Sequence, residues 1–124
     1  DLNKKMVLLV ETYGTKWGPA KGTREPRETI LNCAQREAYE ETGIFVTEKQ
    51  LRSADIWTGY RSMIYYVPMR HDFKSEYIPD DTTEITDIKW VHIDETESLT
   101  LNCYGRCTIR HFKNLVESNT IKAS

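Results

Sequence analysis

The sequence predicts an α+β fold with helices packed on a sheet, and three observations lead there. Short apolar, β-rich runs recur along the chain at Met6–Val10, Asp55–Tyr60, Ser62–Arg70 and Ile85–Ile93. Two longer stretches instead carry apolar residues at helical spacing: Leu31, Ala34 and Ala38 in one, Ile109, Phe112 and Val116 in the other. Their order along the chain is strand, helix, strands, helix, which suits helices lying on a sheet rather than a strict alternation.

Taken in order, MVLLV at Met6–Val10 reads as a buried strand. Tyr13–Pro26 is rich in Gly, Pro, Thr and Lys and is expected to be a loop. Thr29 suits a helix N-cap, and Gly43 stands where a C-cap glycine belongs, so a helix is expected between them. Asp55–Tyr60 and Ser62–Arg70 are expected to be two strands turning around Gly59, and polar His71–Thr83 a long surface loop. ITDIKWVHI at Ile85–Ile93 is a further strand; Glu95–Leu101 then connects to a last helix over Tyr104–Val116.

At 124 residues the chain is expected to form one domain spanning 1–124. A net charge of -2 gives no general attraction for nucleic acid or an anionic membrane, so an anionic substrate must meet local cations or metal ions. No apolar run approaches membrane-spanning length, and Asp1–Lys5 lacks the apolar segment of a signal peptide. Cys33, Cys103 and Cys107 are odd in number and lack zinc-type spacing, as expected of thiols in a reducing compartment. Together these features predict a cytoplasmic protein without a membrane partner.

The chemistry concentrates on the first helix. Glu37, Glu40 and Glu41 fall on one side of it, because residues three and four apart are helical neighbours. Arg36 can pair with Glu40 at the four-residue spacing, which leaves Glu37 and Glu41 uncompensated. Clustered glutamates usually mark a solvated acidic face. A hard divalent cation is the other resolution, since Mg²⁺ binds through a few carboxylates, water and substrate phosphate oxygens.

The surrounding spacing decides between these. Gly22, five residues, Glu28, seven residues and then Arg36-Glu37-Ala38-Tyr39-Glu40-Glu41-Thr42-Gly43-Ile44 resembles the Nudix box G-x5-E-x7-R-E-U-x-E-E-x-G-U, with U aliphatic. Seven fixed and two aliphatic positions match, whereas a given residue type occurs roughly once in fifteen positions. Trp17-Gly-Pro-Ala-Lys-Gly22 resembles the family's W-x-x-P-K-G loop, with Pro19-Ala20 where the family has proline-proline, and Ile88-Lys-Trp90-Val91 resembles its late strand.

The resemblance implies a Nudix fold, a mixed β-sheet between helices, and a metal-dependent pyrophosphohydrolase. Its substrate would be a nucleoside diphosphate linked to another group. By position, Glu37, Glu40 and Glu41 would hold Mg²⁺ or Mn²⁺ together with the Lys21 carbonyl. Arg36 would orient the glutamates, Glu28 would contact the helix start or Arg36, and Gly22 would let the loop come close to the metal. Glu84, six residues before Trp90, would be a general base or further ligand.

The stretches KWGPAKGTREP and RSMIYYVPM resemble those of asymmetrical diadenosine tetraphosphate hydrolases. That favours a dinucleoside polyphosphate, with Tyr65 stacking on the base while Lys16, Lys21 and Arg24 meet phosphates. Tyr66 would face the other side of the sheet, and Trp17 would anchor the loop by packing. The competing substrates are capped mRNA and diphosphoinositol polyphosphates. Arg106, Arg110, His111 and Lys113 could meet RNA but read better as a solvated helix face. A non-catalytic nucleotide-binding module is the rival outside enzymes, and the intact carboxylates argue against it.

Two departures carry expectations of their own. The family's proline-glycine turn is Pro26-Arg27 here, so this turn is expected to need no positive φ. Only five residues precede Met6, so the family's usual first strand is expected to be absent, supplied by a partner chain, or outside these residues.

Overall fold

The computed structural model describes residues 1–59, 62–70, 77–80 and 82–123, with side chains through 119. Tyr60, Asp81 and much of the expected 71–83 loop lie outside the described residues. The fold is α+β. Strand β1 (Met6–Thr12) is the middle of a three-stranded antiparallel sheet of order β2-β1-β5, with β2 at Lys16–Gly18 and β5 at Ile85–His92. Its register with β5 runs from Met6↔His92 to Thr12↔Ile85, shifting between Glu11 and Thr12. A separate hairpin pairs β3 (Asp55–Gly59) with β4 (Ser62–Tyr66), from Asp55↔Tyr66 to Gly59↔Ser62. Residues 1–5 form a turn, and no strand precedes β1 among the described residues.

Helix α1 (Ile30–Thr42) begins and ends as its local sequence dictates. Thr29 is extended and its hydroxyl accepts from Asn32 N at 3.0 Å, satisfying one of the helix's orphan donors. Gly43, at φ 77, closes the other end by donating to Tyr39 O, a conformation that glycine adopts without steric cost. Helix α2 (Glu48–Arg52) follows, capped reciprocally by Thr47 and Gln50. A 3₁₀ turn at Ile93–Ser98 then leads to the long helix α3 (Cys103–Ala123).

The core lies between α3 and the three-stranded sheet. Leu9, Trp17, Val91 and Ile109 are buried together, with Val7, Leu99 and Leu101 packed against them. Burial of each such side chain contributes roughly 1.5–3 kcal/mol. Trp17 is the packing anchor expected of it: its backbone N–H donates to Thr100 O, its carbonyl accepts from Asn102 N, and Lys89 Nζ lies 5.3 Å from its ring centroid.

The structure corrects several expectations. Tyr13–Pro26 is not all loop, because Lys16–Gly18 pairs with Val10–Thr12 as β2. Three residues among Gly and Pro are too few to show alternation. Strand β4 stops at Tyr66 instead of Arg70; Pro68 has no N–H to extend a ladder. Helix α3 outruns Val116 by seven residues, because its polar last turns carry little periodic signal. Arg27 has φ 67, so the turn is left-handed although a side chain replaces glycine. Holding a residue with a side chain there costs roughly 1–2 kcal/mol of strain.

Candidate active site

Loop 19–28, helix α1 and the start of β5 bring most of the predicted site residues together. Arg36 is the organiser. Its Nε donates to Glu28 Oε2 at 2.7 Å and its Nη2 to Glu28 Oε1 at 3.0 Å, a bidentate pair. Nη2 also donates to Thr23 O at 3.1 Å, tying the loop to the helix. Nη1 donates to Glu37 Oε1 at 2.7 Å and to Glu40 Oε2 at 3.2 Å. The predicted Arg36–Glu40 pair is therefore present, but Glu37 is compensated too, against expectation. The adjacent Arg36 side chain reaches it because the guanidinium lies across the helix face. Glu28, held by Arg36 and then by the Glu25 N–H, is lowered to about 2.

Glu41 differs from its neighbours. It is 2% exposed, its Oε2 accepts from Lys21 N at 3.0 Å, and its Oε1 makes no hydrogen bond among the described residues. Burial is the largest cause pushing its carboxyl up to about 8; the Lys21 N–H opposes the shift, while Glu37 and the charge of Glu84 reinforce it. A methyl group at Gly22 would overlap the Glu37 carboxyl, so any side chain there would have to push Glu37 aside.

As these side chains stand, no three acidic, His or Cys groups among the described residues converge to hold an ion. Glu37 and Glu40 are turned onto Arg36 instead. The donor set nevertheless suits a hard divalent cation: carboxylate oxygens, with one buried and unbonded. Such an ion would relieve both the desolvation of Glu41 and its repulsion by Glu37 and Glu84.

The remaining predicted residues are more dispersed. Lys21 is exposed, with Nζ 5.5 Å from the Tyr104 ring centroid on α3. Lys21, Arg24, Glu37, Tyr65 and Tyr66 all line a cavity of about 980 Å³ that also reaches Thr108 and Phe112 on α3. Lys16 is exposed on β2 and does not line it. Glu84 is half-buried just ahead of β5, and its carbonyl accepts from Tyr13 N at 2.8 Å. Sequence reasoning missed Thr23, Tyr104 and Thr108. A loop carbonyl has no residue-type signal, and the two α3 residues meet the site only through the tertiary fold.

Comparison with known proteins places the chain in a family. The family model of the NUDIX domain matches residues 1–112. The NAD-capped RNA hydrolase NudC of Pseudomonas syringae pv. syringae (strain B728a) is 28% identical over 81 residues, which is 65% of this chain and 28% of that protein. The NAD-capped RNA hydrolase NudC of Vibrio parahaemolyticus serotype O3:K6 (strain RIMD 2210633) is 32% identical over 74 residues, 60% of this chain and again 28% of the relative. The chain thus matches under a third of the length of these relatives. A C. elegans Ap4A hydrolase, solved as a binary complex, shares the fold with a TM-score of 0.61 and 19% identity, over 90% of this chain and 86% of its own. With the box residues assembled around Arg36 and the family model covering most of its length, this chain belongs to the Nudix hydrolase family.

Proposed function

We propose that residues 1–124 form one catalytic domain, a metal-dependent pyrophosphohydrolase. Its substrate is a nucleoside diphosphate linked to a second group, best matched by a dinucleoside polyphosphate such as diadenosine tetraphosphate. The observation that carries this reading is Glu41: a buried carboxyl, pushed up to about 8, with one unbonded oxygen beside Glu37 and Glu84. A fold maintains such a group at a cost in stability, and a cation is what would repay it.

Glu37, Glu40, Glu41 and the Lys21 carbonyl would hold Mg²⁺ or Mn²⁺. When bound, the ion supplies positive charge to the phosphate oxygens and makes water more acidic. Arg36 fixes Glu37 and Glu40 and keeps the helix registered on the loop. Lys21 and Arg24 meet the polyphosphate, with Lys16 at its outer end, and Tyr65 stacks on a base. Glu84 takes the proton from the attacking water as oxygen bonds to phosphorus and the bridging P–O bond breaks.

A second reading follows from the relatives, both described as NAD-capped RNA hydrolases: the linked group would then be a capped RNA end. A product-resolved screen with Mg²⁺ and with Mn²⁺ separates the two. It compares dinucleoside polyphosphates, capped RNA, nucleotide sugars and inositol pyrophosphates. The expected result is fastest cleavage of the dinucleoside polyphosphate; preferential cleavage of capped RNA would transfer the assignment, and no metal-dependent cleavage would refute both readings.

A further inference from the structure

Residues 77–80 bridge β5 and the C-terminal end of α1, and both ends of the bridge are tied. At β5, Trp90 Nε1 donates to Tyr77 Oη at 2.8 Å, and the two rings meet edge to face with centroids 6.4 Å apart. At α1, Asp80 N donates to Glu40 O at 2.8 Å. Between these ties the Ile78 carbonyl lies against Gly43, where an added methyl group would come within 2.5 Å of it. Pro79 biases Ile78 towards an extended backbone, which stiffens the segment into a strap.

Both anchor points belong to the site. A helix leaves the carbonyls of its last turn without intrahelical partners, and that turn frays most readily. Here Gly43 N takes Tyr39 O, and Asp80 N, far along the chain, takes the next carbonyl. The turn so held bears Glu40 and Glu41, and Glu41 is buried. A carboxylate loses hydration on burial, so this turn has a reason to unwind that the start of α1 lacks. At the other anchor, Trp90 stands opposite Leu8 in the ladder, on the face of β5 away from the core residue Val91. It lines the cavity together with Glu37 and Lys21. Glu84 immediately precedes the same strand.

We propose that Tyr77 is a positioning residue for the cation site. Through Trp90 at one end and the Asp80–Glu40 bond at the other, the strap keeps the carboxylate-bearing end of α1 wound and in fixed relation to β5. Gly43 thereby has a second role besides its left-handed φ, since a side chain there would meet the strap. The inference rests on the reading of Glu40 and Glu41 as cation ligands, but half of its test needs no metal.

Tyr77→Phe removes the hydroxyl that accepts from Trp90 and keeps the ring. In metal-free protein, NMR hydrogen exchange should be faster at the Asp80 and Gly43 amides by roughly two- to tenfold, as for one lost hydrogen bond. The Cys33 and Arg106 amides, bonded elsewhere in α1 and α3, should exchange as in the wild type. Mn²⁺ affinity, measured by calorimetry well below the melting transition, should weaken by a similar factor. A merely structural tyrosine would lower the melting temperature and leave that affinity alone. Trp90→Phe removes the donor of the same bond, so adding Tyr77→Phe to it should change neither readout further. Unchanged exchange at Asp80, or independent effects of the two substitutions, overturns the proposal. Mn²⁺ bound equally by wild type and Tyr77→Phe overturns this inference alone, whereas a wild type that binds no Mn²⁺ overturns the metal reading with it.

Discussion

At the scale of single residues, the informative side chains are those held in unfavourable states. Glu41 is a carboxyl that burial discourages from ionising. Glu41→Gln preserves its shape and its acceptor for Lys21 N while removing a ligand charge. The expected outcome is turnover lower by orders of magnitude, with a metal-free melting temperature that is unchanged or raised. A near-normal kcat would detach this face from metal binding. Arg27 is strained in its backbone instead, at φ 67. Arg27→Gly removes that strain but loosens the unfolded chain, so a net gain of up to about 1 kcal/mol is expected in urea unfolding. The sequence could not show the strain, since Arg does not advertise a left-handed turn.

Among elements, helix α1 was the most legible, because its determinants are local: Thr29 and Gly43 cap it, and the carboxylate spacing follows from helical geometry. Short β2 and α2 were not, because their existence depends on pairing with β1 and on one capping box. Arg36 illustrates the boundary. Its contact with Glu40 follows from helical spacing, whereas the fork to Glu28 and Thr23 requires the loop to fold back. That clamp predicts a pH dependence. Glu28 is lowered to about 2 in the fold from an ordinary value near 4.5. A depressed carboxyl stabilises the native state above the unfolded value and ceases to do so as pH falls through the folded one. Thermal melts should therefore show wild-type stability declining between pH 4.5 and 2. Glu28→Gln should melt lower at neutral pH and lose less across that window; an identical slope would show that the Arg36 clamp does not couple folding to protonation.

At the scale of the molecule, the cavity is what the sequence revealed least. It is walled by α1, β1, β4 and α3, elements far apart in the chain whose approach leaves no local pattern. Alternation along β4 was readable, however, and it separates two adjacent tyrosines. Tyr66 packs toward α3, against His111, so Tyr65 takes the opposite side of the strand while still bordering the cavity. A ring stacked on an aromatic face typically gains about 1–3 kcal/mol. Tyr65→Ala should thus raise KM for diadenosine tetraphosphate several-fold or more, with cooperative unfolding retained. Tyr66→Ala should act chiefly on stability, by roughly 2–3 kcal/mol, less than a fully buried aromatic because the residue is only half-buried. Steady-state kinetics and urea unfolding on both variants separate the roles. Exchanged phenotypes would mean that the base lies on the α3 side of β4, and an unchanged KM in both would remove the aromatic strand from base recognition.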